Sequence, residues 1–290
     1  MVASHHNPGK PIVLKFEQET VTAFSISALS TYALVPELNC AFDMGDCPLS
    51  AVPLERVFVT HAHGDHTRCL LRHESLRRLL GMAPATYYVP HQTLEGFRTL
   101  AQAWKMLENV RDPRYRPPNF EPLRPGDVVW LHKQLAAKTF AVTHTLPSLG
   151  YTLFDVRKKL KAEYQNRSGP ELAGLRRQGV EFEQEVWVPR LTFIGDSTIE
   201  TLYRERHIGQ SRILFLELTY LLDDDLTLAH QRGHTHLNDL VTFINECPDA
   251  LQNPHIVLKH FSMRYERSLI LQTLKARLPP AFLERVHILL

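Results

Sequence analysis

The chain has 290 residues, and its 33 basic and 31 acidic side chains give a formal net charge of +2. This length suffices for one large domain or two small ones, and the near-neutral charge excludes a uniformly basic nucleic-acid-binding surface. With 44% hydrophobic residues, wholesale disorder is excluded as well. Met1–Pro11 is polar, and no apolar run approaches the roughly 18 residues of a membrane span. We therefore expect a cytoplasmic protein without membrane contact.

The amino-terminal half alternates predicted strands and helices. Ile12 to Cys40 holds short β-rich runs separated by turn residues, the pattern of an antiparallel sheet. Leucines at helical spacing predict a helix over Leu70–Leu80, which a strand over Thr86–Val89 and a helix over Leu94–Leu107 follow. Alternation of this kind indicates a mixed α/β fold.

The carboxy-terminal half continues the pattern after a predicted loop over Arg111–Pro125, which is rich in proline and arginine. The predicted elements that follow are strands Val128–Leu131, Leu191–Ile194, Ile213–Leu216 and Ile256–Leu258 and helices His236–Glu246 and Glu266–Leu278. Between the first two strands, Arg157–Arg177 holds seven basic and two acidic side chains. The local excess of +5 exceeds that of the whole molecule.

Histidine chemistry is concentrated in the hexapeptide HAHGDH at residues 61–66, directly after an apolar strand. Its metal-ligand types are His61, His63, Asp65 and His66. Positions two apart in an extended chain project the same way, so the first two histidines can share one metal, while the turn at Gly64 directs the other two ligands to a second. The alternative is a polar loop in which Asp65 caps the following helix.

Two metals require more ligands than one hexapeptide supplies. Three further apolar runs end in such residues, namely His144, Asp196 and His260. Each alone could be an ordinary strand-end group, but together with the hexapeptide they make five histidines and two aspartates. The two carboxylate oxygens of Asp196 could bridge two ions.

Four further stretches carry a family resemblance: HTLPSLGY at 144–151, FIGDST at 193–198, GHTH at 233–236 and HFSMRY at 260–265. With the hexapeptide they resemble the metallo-β-lactamase superfamily and, within it, the short form of the tRNase Z (ribonuclease Z) family. The resemblance implies a four-layered αββα sandwich. It also implies a zinc-dependent endoribonuclease that removes the 3′ trailer of precursor tRNA, leaving a 3′ hydroxyl on the tRNA and a 5′ phosphate on the trailer.

The same resemblance implies a role for each site residue. One zinc would be bound by His61, His63 and His144, the other by Asp65, His66 and His260, with Asp196 bridging both; manganese or iron could replace zinc at such ligands. Asp65 would also act as general base. His234 would donate a proton to the leaving oxygen, with Glu217 holding its imidazole in the charged form.

The resemblance further implies a flexible arm over residues 155–188, inserted in a single domain over residues 1–290, that grips precursor tRNA away from the cut. Its phosphate contacts would be Lys158, Lys159, Lys161, Arg176 and Arg177, and the nucleotide pocket would be lined by Ser148, Arg264 and Tyr265. A homodimer, in which the arm of one subunit serves the site of the other, is implied too.

Other interpretations of these patterns stay open on the sequence alone. The basic segment could be a solvated loop, and His234 and Glu217 could be an ordinary loop histidine and surface charge. The metal ligands are also compatible with a phosphodiesterase or another hydrolase acting on a small ester, and a tRNA-binding protein without turnover is a third class.

Overall fold

Two β-sheets form the centre of the molecule in the computed structural model, which describes residues 9–111 and 115–290. The first sheet has the order β1-β2-β3-β4-β5-β6-β7, with β14 beside β2. Its strands are β1 (Ile12–Lys15), β2 (Thr20–Ser27), β3 (Ser30–Val35), β4 (Cys40–Phe42), β5 (Arg56–Phe58), β6 (Thr86–Pro90), β7 (Asn119–Leu123) and β14 (Phe261–Ser262). As expected from the alternating sequence, β1 to β4 pair antiparallel.

The second sheet has the order β15-β13-β12-β11-β10-β9-β8. Its strands are β8 (Val128–His132), β9 (Leu135–Ala141), β10 (Leu149–Leu160), β11 (Glu183–Phe193), β12 (Ile213–Glu217), β13 (His255–Lys259) and β15 (Val286–Ile288). Parallel pairing of β11, β12 and β13 brings the carboxyl ends of these strands to one edge. That edge carries the polar residues that the sequence places directly after each apolar run.

Helices cover the outer face of each sheet. The helices are α1 (Gly64–Thr67), α2 (Leu70–Leu79), α3 (Leu94–Leu107), α4 (Gly169–Arg177), α5 (Glu200–Arg204), α6 (Leu226–Gln231), α7 (Leu237–Glu246), α8 (Arg267–Arg277) and α9 (Pro280–Leu283). One apolar cluster joins α2 and α3 to the first sheet, and another joins α5, α7, α8 and α9 to the second. In the described part of the chain, no helix is long and apolar enough to cross a membrane.

The central core lies between the sheets. Aromatic side chains from both sheets meet there, and the rings of Phe42 and Phe193 stack with centroids 4.8 Å apart. Layers of helix, sheet, sheet and helix therefore follow one another, which confirms the predicted αββα sandwich.

Two predicted segments differ from the structure. The loop expected over 111–125 contains β7, because an edge strand tolerates Pro122 where a central strand would not; residues 112–114 of that loop, like residues 1–8, lie outside the described residues. The strand expected over 191–194 begins earlier, at Glu183, since charged residues that face solvent hide a strand from an apolar pattern.

The basic segment is folded. Beyond Val156 on β10 and before Leu191 on β11, the described residues of these two strands pair with each other, and α4 lies between them in the chain. The side chain and backbone of Ser168 form a capping box with Glu171 at the start of α4. We call residues 156–189, this two-stranded ribbon with its helical end, the arm.

Candidate metal centre

The hexapeptide follows β5 in extended conformation and then turns into α1. His63 is the residue before that helix, and no side chain caps it there; the Asp65 carboxylate instead accepts a hydrogen bond of 2.9 Å from the backbone N–H of Ala28. The helix-cap alternative for Asp65 is therefore wrong. The backbone at Gly45 approaches closely, because a Cβ at that position would lie 1.8 Å from the Asp65 carbonyl oxygen.

The first ligand cluster joins the hexapeptide to the second sheet. Nε2 of His61 lies 3.0 Å from Nδ1 of His63, which in turn lies 3.4 Å from Nε2 of His144. Oδ2 of Asp196 is 3.6 Å from Nε2 of His61. These four residues, which come from three places in the chain, can thus present one donor atom each to a common point.

The second ligand cluster lies beside the first. Oδ2 of Asp65 is 3.4 Å from Nε2 of His260 and 3.7 Å from Nε2 of His66. Oδ1 of Asp196 is 3.3 Å from each of these two nitrogens. Asp196 therefore directs one oxygen to each cluster, the arrangement expected of a bridging carboxylate.

The donor atoms fit divalent metal ions. Bonds of about 2.0–2.1 Å in a tetrahedral zinc site place neighbouring ligand atoms roughly 3.3 Å apart, close to the spacings in both clusters. Nε2 of His66 and Oδ1 of Asp196 are buried and have no hydrogen-bonding partner among the described residues. Buried polar atoms rarely stay unpaired, so a cation between these ligands explains the arrangement.

Hydrogen bonds on the far side of the rings hold the donors in place. Nδ1 of His66 is 2.7 Å from Oδ2 of Asp43, and Nδ1 of His144 is 2.8 Å from the carbonyl oxygen of Gly233. These contacts fix the proton on Nδ1 and leave Nε2 for a metal. Thr60 joins the Asp43 carboxylate to Nδ1 of His61 through its hydroxyl, with both distances 3.0 Å.

Two of the site residues have left-handed backbone. Asp43 has φ of 56° and His260 has φ of 67°, a region that residues other than glycine rarely adopt. The sequence analysis did not identify Asp43, although this residue directly follows β4 just as the predicted ligands follow their apolar runs. Position at a strand end was the signal that could have found it.

His234 and Glu217 form a buried pair next to both clusters. Nδ1 of His234 is 3.0 Å from Oε1 of Glu217, which also accepts the backbone N–H groups of Ser197 and Thr235. Burial opposes a charged imidazole, but the Glu217 carboxylate outweighs burial and raises the pKa of His234. Burial likewise opposes the carboxylate, and His234 outweighs it, so the pKa of Glu217 is lowered. The surface-charge alternative for Glu217 is wrong, because its side chain is fully buried.

Thr219 links that pair to the second cluster. Its hydroxyl donates to Oε2 of Glu217 over 2.8 Å and lies 2.9 Å from Nδ1 of His260. A hydroxyl that donates to the carboxylate can accept from the imidazole, which leaves Nε2 of His260 for a metal. The sequence analysis assigned no role to Thr219, because threonine at a strand end is common and carries no metal-ligand signal.

The predicted nucleotide-pocket residues are placed differently from one another. Tyr265 is buried, and its hydroxyl contacts Asp225; burial, aided by that carboxylate, raises the pKa of Tyr265 to about 12. Arg264 is exposed, donates to the same carboxylate over 2.9 Å, and lies over the ring of Tyr220. Ser148 is half-buried and donates to the carbonyl oxygen of Leu146. The structure therefore brings Arg264 and Tyr265 together on Asp225.

The predicted arm cations are exposed to different extents and partly paired. Lys158 pairs in register with Glu185, while Arg176 lies 3.8 Å from Glu183 and over the ring of Phe182. A groove with a volume of about 620 Å³ is lined by three of the predicted cations and three glutamates: Lys158, Lys161, Arg176, Glu181, Glu183 and Glu185. The local charge excess is therefore smaller at this surface than the sequence suggests. Lys159 and Arg177 are exposed.

Comparison with known proteins agrees with this geometry. The sequence profile of the beta-lactamase superfamily domain matches residues 38–261. Two Arabidopsis thaliana proteins are similar: tRNase Z TRZ1 is 31% identical over 93% of this chain and 95% of its own length, and chloroplastic tRNase Z TRZ2 is 30% identical over 87% and 70%.

Solved structures share the fold. Human short-form tRNase Z superposes with a TM-score of 0.52 at 17% identity, over 90% of this chain and 91% of its own. The metallo-β-lactamase fold protein YhfI from Bacillus subtilis superposes with a TM-score of 0.62 at 12% identity, over 92% and 95%. Because both the profile match and the TRZ1 match extend over most of the sequence, the chain belongs to the tRNase Z family of the beta-lactamase superfamily.

Proposed function

We propose that the protein is a metal-dependent endoribonuclease that removes the 3′ trailer from precursor tRNA and leaves a 3′ hydroxyl on the tRNA and a 5′ phosphate on the trailer. The observation that carries the proposal is the pair of ligand clusters joined by Asp196, with the His234–Glu217 pair beside them. The likeness to tRNase Z proteins over nearly the whole chain supports RNA cleavage over hydrolysis of a small ester.

The proposed metal ligands are those of the two clusters. His61, His63 and His144 would hold one ion, Asp65, His66 and His260 the other, and Asp196 both; zinc suits these ligands, and manganese or iron would also be accepted. Two bound cations lower the pKa of water and neutralise the charge of a phosphodiester in an in-line displacement. The protein contributes by fixing each donor atom, as the hydrogen bonds of Asp43 and Thr219 do.

Asp65 is proposed mainly as a ligand. Burial would raise the pKa of this carboxyl, but the hydrogen bond from His260 and the nearby His66 lower it to about 2. The two histidines that lower this pKa are themselves proposed metal ligands, and the general-base role predicted for Asp65 stays a prediction.

His234 is proposed as the general acid. Glu217 occupies its Nδ1 and favours the protonated imidazole, so the proton on Nε2 is the one available for the leaving 3′ oxygen. His234 also lies within reach of Asp196 and His260 as a third group of donor atoms. We assign it to proton transfer because those two residues already complete the two clusters.

The arm is proposed to bind precursor tRNA for the site of another subunit. At about 3.3 Å per residue, the twelve residues of β10 span some 36 Å, from Leu149 at the edge with the ligand clusters to Leu160 in the arm. The arm therefore lies far from the cutting site of its own chain, which supports a homodimer. Large apolar side chains that are exposed on α2 and α3 could form its interface: Leu79, Leu100, Met106 and Leu107.

The decisive experiment is a trailer-cleavage assay with a 3′-extended tRNA and the purified protein. We expect a product with a 3′ hydroxyl that chelator abolishes and zinc restores, and we expect Asp65→Ala to remove it while Asp249→Asn, at an exposed carboxylate, does not. Absence of product under conditions where a control enzyme cuts would overturn the proposal.

Light scattering would test the dimer, metal analysis would test for two ions per chain, and imaging would test the cytoplasmic location.

A further inference from the structure

An ion cluster around the buried Glu19 lies at the edge of the sheets opposite the ligand clusters. Glu19, which is 1% exposed, accepts hydrogen bonds from Nε of Arg190 and from Nη2 of Arg212, the latter over 2.6 and 2.7 Å. Nη1 of Arg190 donates to Oδ1 of Asp155 over 3.1 Å. A single guanidinium therefore joins two carboxylates.

Three of the four residues lie on or directly before neighbouring strands of the second sheet, and the fourth lies directly before a strand of the first sheet. Glu19 lies just before β2 in the first sheet, Arg212 just before β12 in the second, and Asp155 and Arg190 lie on β10 and β11. The cluster thus ties one sheet to the other. It does so at the point where β10 and β11 lose their outer neighbours and continue as the arm.

The ladder between β10 and β11 is irregular at the same point. Leu153 pairs with Leu191 and Phe154 with Pro189, so Arg190 is an extra residue on β11. Such a bulge bends and twists a strand pair, and Pro189 has no N–H to hold the ladder there. Strand pairing alone therefore leaves the direction of the arm weakly determined, and the side chain of the bulged residue is the one bound into the cluster.

We propose that Glu19, Arg190 and Asp155 act as a clamp that sets the angle at which the arm leaves the body. The inference rests on the proposed function, because it assigns these positioning residues to the binding of precursor tRNA. The planar fork of Arg190 can bind two carboxylates at once, whereas a lysine at that position can bind only one firmly. Replacing Arg190 by lysine therefore keeps the positive charge but removes the contact with both carboxylates at once.

The test measures the activity of the Arg190→Lys and Asp155→Asn variants on two substrates, precursor tRNA and bis(p-nitrophenyl) phosphate. Both variants keep most of the contacts of the ion cluster. We expect KM for precursor tRNA to rise about tenfold, less than the roughly hundredfold effect of a 1 Å misplacement at the reacting centre because the arm binds away from it, while turnover of bis(p-nitrophenyl) phosphate stays within twofold. The matched control is Arg285→Lys, because Arg285 bridges the carbonyl oxygens of Leu251 and Asn253 far from the arm. A merely structural role predicts that thermal stability falls in all three variants and that KM rises in none.

An arm-replacement variant separates the two ways to fail. In it, Asn-Gly replaces residues 161–182 as a two-residue hairpin loop between the paired Leu160 and Glu183. If this variant raises KM and Arg190→Lys and Asp155→Asn do not, the clamp is wrong and the role of the arm stands. If the replacement leaves KM unchanged, or wild-type protein does not cut precursor tRNA, the clamp and the proposed role of the arm are both overturned.

Discussion

The sheet edge that carries the two ligand clusters, which we call the metal edge, differs from the arm in how well the sequence predicts its chemistry. At the metal edge, the seven proposed ligand residues come from four separate places in the chain, and each is buried or half-buried and held by specific neighbours. The arm is one continuous segment whose cations are largely exposed and partly opposite glutamates. Residue type at a strand end therefore predicts chemistry well, whereas net charge of a segment predicts available charge poorly.

The largest effect is expected at the residue shared by both clusters. Asp196→Ala removes a donor from each metal, and the loss of several kcal/mol of charge stabilisation corresponds to at least about a thousandfold lower turnover. Metal analysis should show less than two ions per chain, with Asp249→Asn as the control at an exposed carboxylate. Full occupancy together with normal cleavage would show that Asp196 does not bridge.

Removal of the proposed acid should separate chemistry from metal binding. His234→Ala is expected to lower kcat by about 10²- to 10⁴-fold, the usual contribution of a positioned acid or base, with unchanged metal content. His230→Ala, at an exposed histidine on the preceding helix, is the matched control. Loss of an ion from the His234 variant would instead identify this residue as a ligand.

The hydrogen bond that Nδ1 of His66 donates to the Asp43 carboxylate tests whether the neighbours of the proposed ligands matter. Asp43→Asn keeps the size of the side chain but removes the charge that orients the imidazole, and zinc affinity is expected to fall about 10- to 100-fold. Chelator competition measures this, with Asp46→Asn, at an exposed neighbour, as control. Equal affinities would mean that burial alone holds His66.

At the arm, smaller effects are expected. Changing Lys158, Lys159 and Lys161 together to glutamate should raise KM for precursor tRNA about three- to tenfold and leave turnover of a small phosphodiester unchanged. The slope of log Kd against log salt should decrease by about 0.9 for each phosphate that the variant no longer neutralises. Lys275→Glu controls for charge reversal on another face. If the slope does not change, these three lysines do not bind RNA phosphates.

A histidine outside both regions serves as a reference for burial without metal. His73 is buried, with Nδ1 2.8 Å from the Tyr87 hydroxyl and Nε2 donating to the carbonyl oxygen of Ala51. Burial lowers the pKa of His73 from 6.5 to about 4. Between these values the unfolded chain takes up a proton that the folded protein does not, so the stability contribution is present above pH 6.5 and is lost as pH falls.

We therefore expect His73→Gln to be less stable than wild type at pH 7, by an amount that shrinks by up to about 3 kcal/mol toward pH 4. Urea unfolding of both proteins at several pH values measures the difference and cancels the titration of the other histidines. A difference that is independent of pH would show that His73 binds its proton equally in both states.

The alternation of strands and helices predicted a mixed α/β fold, and the family resemblance implied the αββα class and the two ligand sets. The candidate ligands could be found because each lies in a short stretch that follows an apolar run. The sequence could not predict that Asp43 holds His66, since that contact depends on the close approach of two loops at Gly45. Nor could it predict that Lys259 is buried. The ammonium of Lys259 lies 4.9 Å from the centroid of the Phe193 ring, and burial lowers its pKa. Alternation in β13 places this residue between the sheets, where a lysine is rare.

The backbone at Asp43 and His260 has a consequence for how this protein can be improved. Both residues adopt a conformation that costs other side chains about 1–2 kcal/mol and glycine nothing. A search for thermostable variants that scores only the backbone would therefore select glycine at these two positions, and it would discard one proposed metal ligand and the residue that supports another. Stability and catalysis compete there, and engineering of this enzyme should leave both residues fixed.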